Sequence, residues 1–199
     1  MNLSASIVGL GNPGAKYKLT RHNLGFLVLD RLVGKLKSDF VWDTAESSKL
    51  SNGFSFRCRM VGKAETYMLL KPTTYMNNSG IAVAEMVRKN RVDTANLLIV
   101  HDELDLDPGR VKMKFGGGLA GHKGLRSIAE RLGSRDFPRL RMGIGRPPEN
   151  MDTASYVLRK FLPEEQALIS EAVDRAVSGI LIFLEDGFQK AQQWVNSHD

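Results

Sequence analysis

Short, wholly apolar runs alternate along the chain with longer stretches in which apolar residues recur every three or four positions. That is the strand–helix alternation of an α/β fold. Residues 4–10 predict a buried strand, closed by the turn residues Gly9, Gly11, Asn12, Pro13 and Gly14. Phe26, Leu27, Leu29, Leu32, Val33 and Leu36 stripe a helix over 23–37, with Thr20 or Asn23 as the candidate cap. Phe54–Val61 and Glu65–Leu70 read as a hairpin turning at Gly62-Lys63-Ala64, and Pro72 ends its second strand. A polar loop, 73–80, leads into a helix over Ser79–Lys89. Leu97–Val100 is apolar throughout, as suits a central strand, and runs directly into His101-Asp102-Glu103. Further strands are predicted at Val111–Phe115 and Leu140–Ile144, with a helix over Lys123–Leu132 between them. Pro163, followed by two glutamates, opens a long helix with apolar residues at 168, 169, 172, 173, 176, 177, 180 and 181. No repeat, low-complexity tract or linker divides residues 1–199, so one α/β domain with a twisted mixed, mostly parallel sheet flanked by helices is expected.

Charge alters this picture more than composition does. The chain carries a net +6, but residues 108–146 hold ten Lys/Arg against two acids, so that block is +8 and the rest of the chain −2. A basic block on a near-neutral body points to a polyanionic partner. No apolar run reaches the roughly 18 residues that a membrane span requires, and no secretory signal is read at the start of the chain. The single cysteine, Cys58, sits in an alternating segment as a strand residue; it excludes an internal disulfide framework and fits a reducing, cytoplasmic setting.

Candidate chemistry gathers where predicted strands end. Gly9-Leu10-Gly11-Asn12-Pro13-Gly14 matches the dinucleotide-binding pattern letter for letter. No helical stripe starts within that turn and no acid follows at a second strand end, so the turn is read as aiming Asn12 at a substrate. His22 lies just beyond it, and Asp102 lies at the end of the central strand. A His–Asp pair without a nucleophilic Ser or Cys motif has the logic of a general base and its orienter acting on water. The acids at 102, 103, 105 and 107 lack histidines at metal-binding spacing, so no metal and no cofactor are expected. Asn77 and Asn78 precede a helix and serve either as its cap or as an amide that positions water or an oxyanion. Gly116–Gly124, flanked by Lys114, Lys123 and Arg126, has the backbone N–H density of an anion-binding loop.

Taken together, GLGNPGAKY, TRHNLGF, KPTTYMNNSG, HDELDLDPG, GGGLAGHKG and FPRLRMGIGRP resemble the bacterial-type peptidyl-tRNA hydrolase family, in order and spacing, over essentially the whole chain. The resemblance implies a phosphorylase/hydrolase-like α/β domain and a monomeric, metal-free cytoplasmic esterase that frees tRNA from peptide after stalled translation. It implies His22 as the catalytic base and Asp102 as its partner, with Asn12 and Asn77 positioning substrate. Tyr17 and Met76 then line the peptide channel, Lys114 and Arg141 grip the tRNA 5′-phosphate, and His122 stands in a gate loop. Two departures from the family pattern stand in that loop: Lys123 replaces an asparagine, and Leu119 occupies a commonly polar position. The resemblance also admits a catalytically silent relative of the plastid intron-splicing type, which binds RNA or protein partners without hydrolysis.

Overall fold

In the computed structural model, residues 3–35, 40–43, 50–61 and 64–198 are described. Seven strands form one sheet in the order β2-β3-β4-β1-β5-β7-β6. They are β1 (Ala5–Gly9), β2 (Phe40–Asp43), β3 (Gly53–Met60), β4 (Thr66–Pro72), β5 (Leu97–Glu103), β6 (Val111–Phe115) and β7 (Pro138–Gly143). The pairs β4–β1, β1–β5 and β5–β7 are parallel, while β3 and β6 run against their neighbours. The sheet is therefore mixed, with a parallel centre.

Helices cover both faces, which is why the central strands read as unbroken apolar runs. Ile7, Leu69, Leu98 and Val100 point to the face covered by α1 (Leu24–Lys35), α5 (Gln166–Asp186) and α6 (Phe188–Ser197). Val8, Leu70, Leu97 and Ile99 point to the face covered by α2 (Ser79–Asn90) and α3 (Lys123–Leu132). The chain leaves β1 for α1 on one face and leaves the adjacent β4 for α2 on the other. Such a divergence opens a crevice at the carboxyl ends of the strands, where open α/β sheets bind ligands. Gly25 lets α1 start hard against the sheet: a Cβ there would overlap the backbone of Leu10 and Val100.

Several elements differ from the pattern-based expectation. The first predicted helix is α1, preceded by a 3-10 turn at Arg21–Asn23; Leu36 and the residues to 39 lie outside the described residues, as do Gly62 and Lys63 of the predicted turn. Neither proposed cap caps α1. Thr20 Oγ1 donates to Tyr17 O, and the Asn23 side chain is spent on Asn12. The central strand does not stop at Val100. His101, Asp102 and Glu103 continue it because β7 offers Arg141, Met142 and Gly143 as partners. β7 begins at Pro138 and ends before Ile144, and the long helix begins at Gln166, after a 3-10 turn at Pro163–Glu165. β2, α6 and the short α4 (Thr153–Val157) were not read from the pattern.

Candidate active site

A cleft of about 820 Å³ opens at the carboxyl ends of β1, β4 and β5. Asn12, His22, Met76, Asn77, Asp102, His122 and Lys123 all line it, together with Val157 and Leu158 from the α4 side. Arg126, the other basic residue singled out beside the glycine loop, lines it too.

At its base, His22 Nδ1 lies 2.9 Å from both carboxylate oxygens of Asp102. Both residues are buried. The Asp102 side chain has no proton to give at neutral pH, so Nδ1–H donates and Nε2 keeps its lone pair. No partner occupies Nε2 among the described residues. A second imidazole reaches the same carboxylate, with His122 Nε2 3.1 Å from Oδ1. Burial alone pushes the Asp102 carboxyl up; the two imidazoles outweigh it and hold the carboxyl well below its ordinary range.

Two imidazole nitrogens and a carboxylate oxygen within 4.8 Å of one another have the composition of a metal site. The tautomer of His122 opposes that use. Its Nδ1 caps α3, accepting from Gly124 N–H at 3.1 Å and Leu125 N–H at 3.2 Å. Nδ1 is thus unprotonated, and the ring proton sits on Nε2, the atom a metal would need. Metal-bound histidines instead donate from their second nitrogen. This donor set is built for hydrogen bonding.

The Asn12 backbone is held at both ends by Asn23: Asn12 N–H donates to Asn23 Oδ1 at 2.9 Å, and Asn23 Nδ2 donates to Asn12 O at 3.0 Å. Asn12 Oδ1 accepts from Met76 N–H at 2.8 Å. That bond turns the oxygen toward Met76 and leaves Nδ2 without a partner among the described residues, so Asn12 can act in the cleft as a donor. Met76 is buried beside the start of α3, where a Cβ on Gly124 would lie 2.5 Å from its sulfur. Asn77 is exposed at the cleft rim and caps nothing; the residue before α2 is Asn78, which makes no side-chain cap bond either. Tyr17 stands outside the cleft lining, edge-on to Tyr75 at 6.4 Å.

Lys114 and Arg141 lie apart from His22, in an adjoining basic cavity of about 280 Å³ that also holds His101, Glu103 and Arg139. Glu103 and Ala120 line both cavities. Lys114 faces Arg139 directly across the β6–β7 pair, a like-charge juxtaposition that a sheet ordinarily avoids. Burial, then Arg141 and Arg139, push the Lys114 ammonium below its ordinary value. Arg139 is fully buried and donates to the carbonyls of Gly117, Gly118 and Arg135, which pins the glycine loop to the sheet. Gly117 has φ +89°, a left-handed conformation that favours glycine, and its Cα lies close under the Lys114 ammonium.

Sequence reasoning missed Asn23, Arg139 and the clamp on Arg21. The Arg21 guanidinium donates to both carboxylate oxygens of Glu165 at 2.8 and 2.6 Å and lies 4.7 Å from the ring centre of Tyr156 and 4.9 Å from that of Phe161. Arg21 N–H donates to Arg159 O. The turn that carries His22 is thereby fastened to the segment that follows α4. Arg139 had a visible signal: it lies two residues before Arg141, on the same strand face.

His101 donates from Nδ1 to Asp102 O at 2.7 Å, and its Nε2 is buried without a partner among the described residues. Burial, then the neighbouring His122, push its pKa down to about 3. As pH falls, the unfolded chain therefore binds this proton first, near the ordinary value of about 6.5. Stability is full above that value and is lost as pH falls from it toward the folded pKa. The expected loss at pH 5 is about 2 kcal/mol, with Asp102 adding more below about pH 4. Urea midpoints at neutral pH and at about pH 5 measure it. His101→Gln flattens the slope, and equal midpoints for the parent would contradict the assignment.

Known proteins share both the sequence and the fold of this chain. A sequence profile described as peptidyl-tRNA hydrolase matches residues 6–199. The chain is 44% identical over 205 residues to the peptidyl-tRNA hydrolase of Oleidesulfovibrio alaskensis, covering 100% of this chain and 99% of the relative. The chain belongs to the peptidyl-tRNA hydrolase family. The peptidyl-tRNA hydrolase of Mycobacterium tuberculosis is 41% identical over 191 residues, covering 96% of each chain. The crystal structure of peptidyl-tRNA hydrolase from Acinetobacter baumannii superposes with a TM-score of 0.84 at 36% identity, covering 98% of this chain and 97% of that one. The family's α/β architecture is the one described above. Among the described residues, no helix is long and apolar enough to cross a membrane.

Proposed function

We propose that this protein hydrolyses the ester between the peptide, or an N-blocked aminoacyl group, and the 3′ end of tRNA, with His22 as general base. The reading is carried by one observation: His22 is held by Asp102 through Nδ1 and turns its free Nε2 to a cleft in which no Ser or Cys is found among the lining residues. Nε2 takes a proton from water as the water oxygen attacks the ester carbonyl. Asp102 orients the ring and stabilises the imidazolium. The Asn77 amide donates to the oxyanion, and Asn12 Nδ2 holds a peptide carbonyl. As the tetrahedral intermediate collapses, the imidazolium returns its proton to the ribose oxygen, releasing free tRNA and a peptide carboxyl. Met76 and, at the outer edge, Tyr17 with Tyr75 form the wall for the peptide. His122 holds the glycine loop over the carboxylate, and Lys123, exposed at the rim, reaches toward the acceptor end. The open Nε2 favours this reading over a silent, splicing-type binder, which has no use for an oriented base.

We place the tRNA 5′-phosphate in the basic cavity, between Lys114 and Arg141. An anion there relieves the like-charge pairing of Lys114 and Arg139 and compensates the burial of the ammonium. Lys114→Ala or Arg141→Ala raises KM for peptidyl-tRNA about 10-fold or more, the scale of a hydrogen bond to a charged group. The loss is smaller on substrate stripped of its 5′-phosphate. Steady-state kinetics on both substrates measure it, and equal losses would remove the clamp. A buried single cysteine fits a reducing cytoplasm, and the function as stated requires only a monomer.

A further inference from the structure

The end of β5 serves two cavities at once. Asp102 faces His22 in the cleft, and the next residue, Glu103, lines both the cleft and the basic cavity. The Glu103 carboxylate is buried and fully directed: one oxygen accepts from Asp105 N–H at 3.2 Å, and the other from Arg141 Nε at 3.0 Å. Arg141 spends only Nε on this pair. Its two terminal nitrogens have no hydrogen-bond partner among the described residues, and they are the atoms suited to a bidentate phosphate. The strands that carry the two residues are paired in parallel, with His101 opposite Arg141 and Glu103 opposite Gly143. No loop intervenes between the carboxylate that orients the base and the one that orients the phosphate-binding cation.

We propose that Glu103 is a positioning residue that aims Arg141 and fixes the distance between the 5′-phosphate grip and the His22–Asp102 base. This rests on the clamp reading above. The side chain acts through Arg141 and touches no reacting atom. With Asp102 and Glu103 adjacent on one paired strand, phosphate seated on Arg141 brings the 3′ ester to one place relative to His22. Binding energy from a remote part of the substrate is thereby used to position the ester.

The alternative role for an acid beside a phosphate is simple repulsion, and the two roles predict opposite signs. If Glu103 only repels, Glu103→Gln tightens the phosphorylated substrate. If it aims Arg141, the same change loosens it. The test is kcat/KM on a defined N-blocked aminoacyl-tRNA with and without its 5′-phosphate, for the parent, Glu103→Gln, Arg141→Lys and the double variant. Glutamine keeps the shape but has one acceptor oxygen where the carboxylate uses two, so Asp105 N–H and Arg141 Nε can no longer both be met; lysine keeps the charge and loses the Nε donor and the fork. Each single variant is expected to lower the ratio between the two substrates about 10-fold, within the range of charged hydrogen bonds. The double variant falls little further, since both changes break one contact. Melting temperatures check that each variant is folded. An unchanged or raised ratio in Glu103→Gln, with Arg141→Lys still lowered, overturns the positioning role and leaves the clamp standing. Equal losses on both substrates for Arg141→Lys remove the clamp itself. If Glu103→Gln does not fold, the parent and Arg141→Lys are compared with Glu103→Asp, whose shorter reach must lower the ratio in the same way.

Discussion

His22→Ala is expected to lower kcat by about 10²–10⁴, the usual scale for loss of a general base, with KM nearly unchanged. The ring is buried and its Nδ1 is engaged by Asp102, so its contribution lies in Nε2 rather than in gripping the substrate. Asp102→Asn should also lower kcat, for a different reason. An amide at 102 can present its NH2 to Nδ1, which favours the tautomer with its proton on Nε2, pointing the wrong way for a base. The amide oxygen can still accept from His122 Nε2, which leaves the glycine loop in place and confines the effect to the base. Single-turnover hydrolysis with excess enzyme separates these effects from binding. Retention of the parent rate by His22→Ala would rule out the mechanism.

The second large effect is on stability. Both carboxylate oxygens of Glu165 accept from Arg21 Nη2, and Oε2 also accepts from the backbone N–H of Leu162, while Arg21 Nη1 donates to Lys160 O. Arg21 retains 6% side-chain exposure and Glu165 17%. Removing one partner from such a pair leaves a buried charge with no counter-ion. Glu165→Ala is expected to cost about 3 kcal/mol, the low end for a buried pair because Glu165 is not fully enclosed. For a chain of this size that lowers Tm by roughly 6–12 °C. Glu165→Gln keeps the backbone contact and costs less. Because the pair ties the His22 turn to the segment after α4, the same variants should also lower kcat. A Tm within about 2 °C of the parent would show that the Arg21 cation is satisfied by its bond to Lys160 O and by the rings of Tyr156 and Phe161 alone.

Much of this arrangement was legible in the sequence, and the reasons differ by residue. His22 and Asp102 could be paired because each follows a strong strand signal at the same edge of an α/β sheet. Asn12 was legible as a turn residue aimed at the cleft, but not as a donor, because that depends on Met76 N–H taking its oxygen. Asn23 was misread as a cap: a side chain that holds the backbone of a residue eleven positions away leaves no periodic trace. The apolar run stops at Val100, and the polar His101, Asp102 and Glu103 extend the strand only because β7 keeps them in the sheet. α4 is five residues long, too short to display a helical period. α6 sits behind Gly187 with a thin apolar stripe, and its Asn196 exchanges hydrogen bonds with the Met113 backbone on edge strand β6, a contact fixed by tertiary structure alone. Glu103, in plain view beside Asp102, gained meaning only from its distance to Arg141.

The most direct test of the central claim is to follow tRNA binding and ester cleavage together, with the purified protein in excess over an N-blocked aminoacyl-tRNA labelled at its 3′ end. The account predicts that the parent releases both free tRNA and the blocked amino acid, while His22→Ala holds the intact ester with similar affinity. A parent protein that binds the labelled tRNA and leaves its ester uncleaved would contradict it.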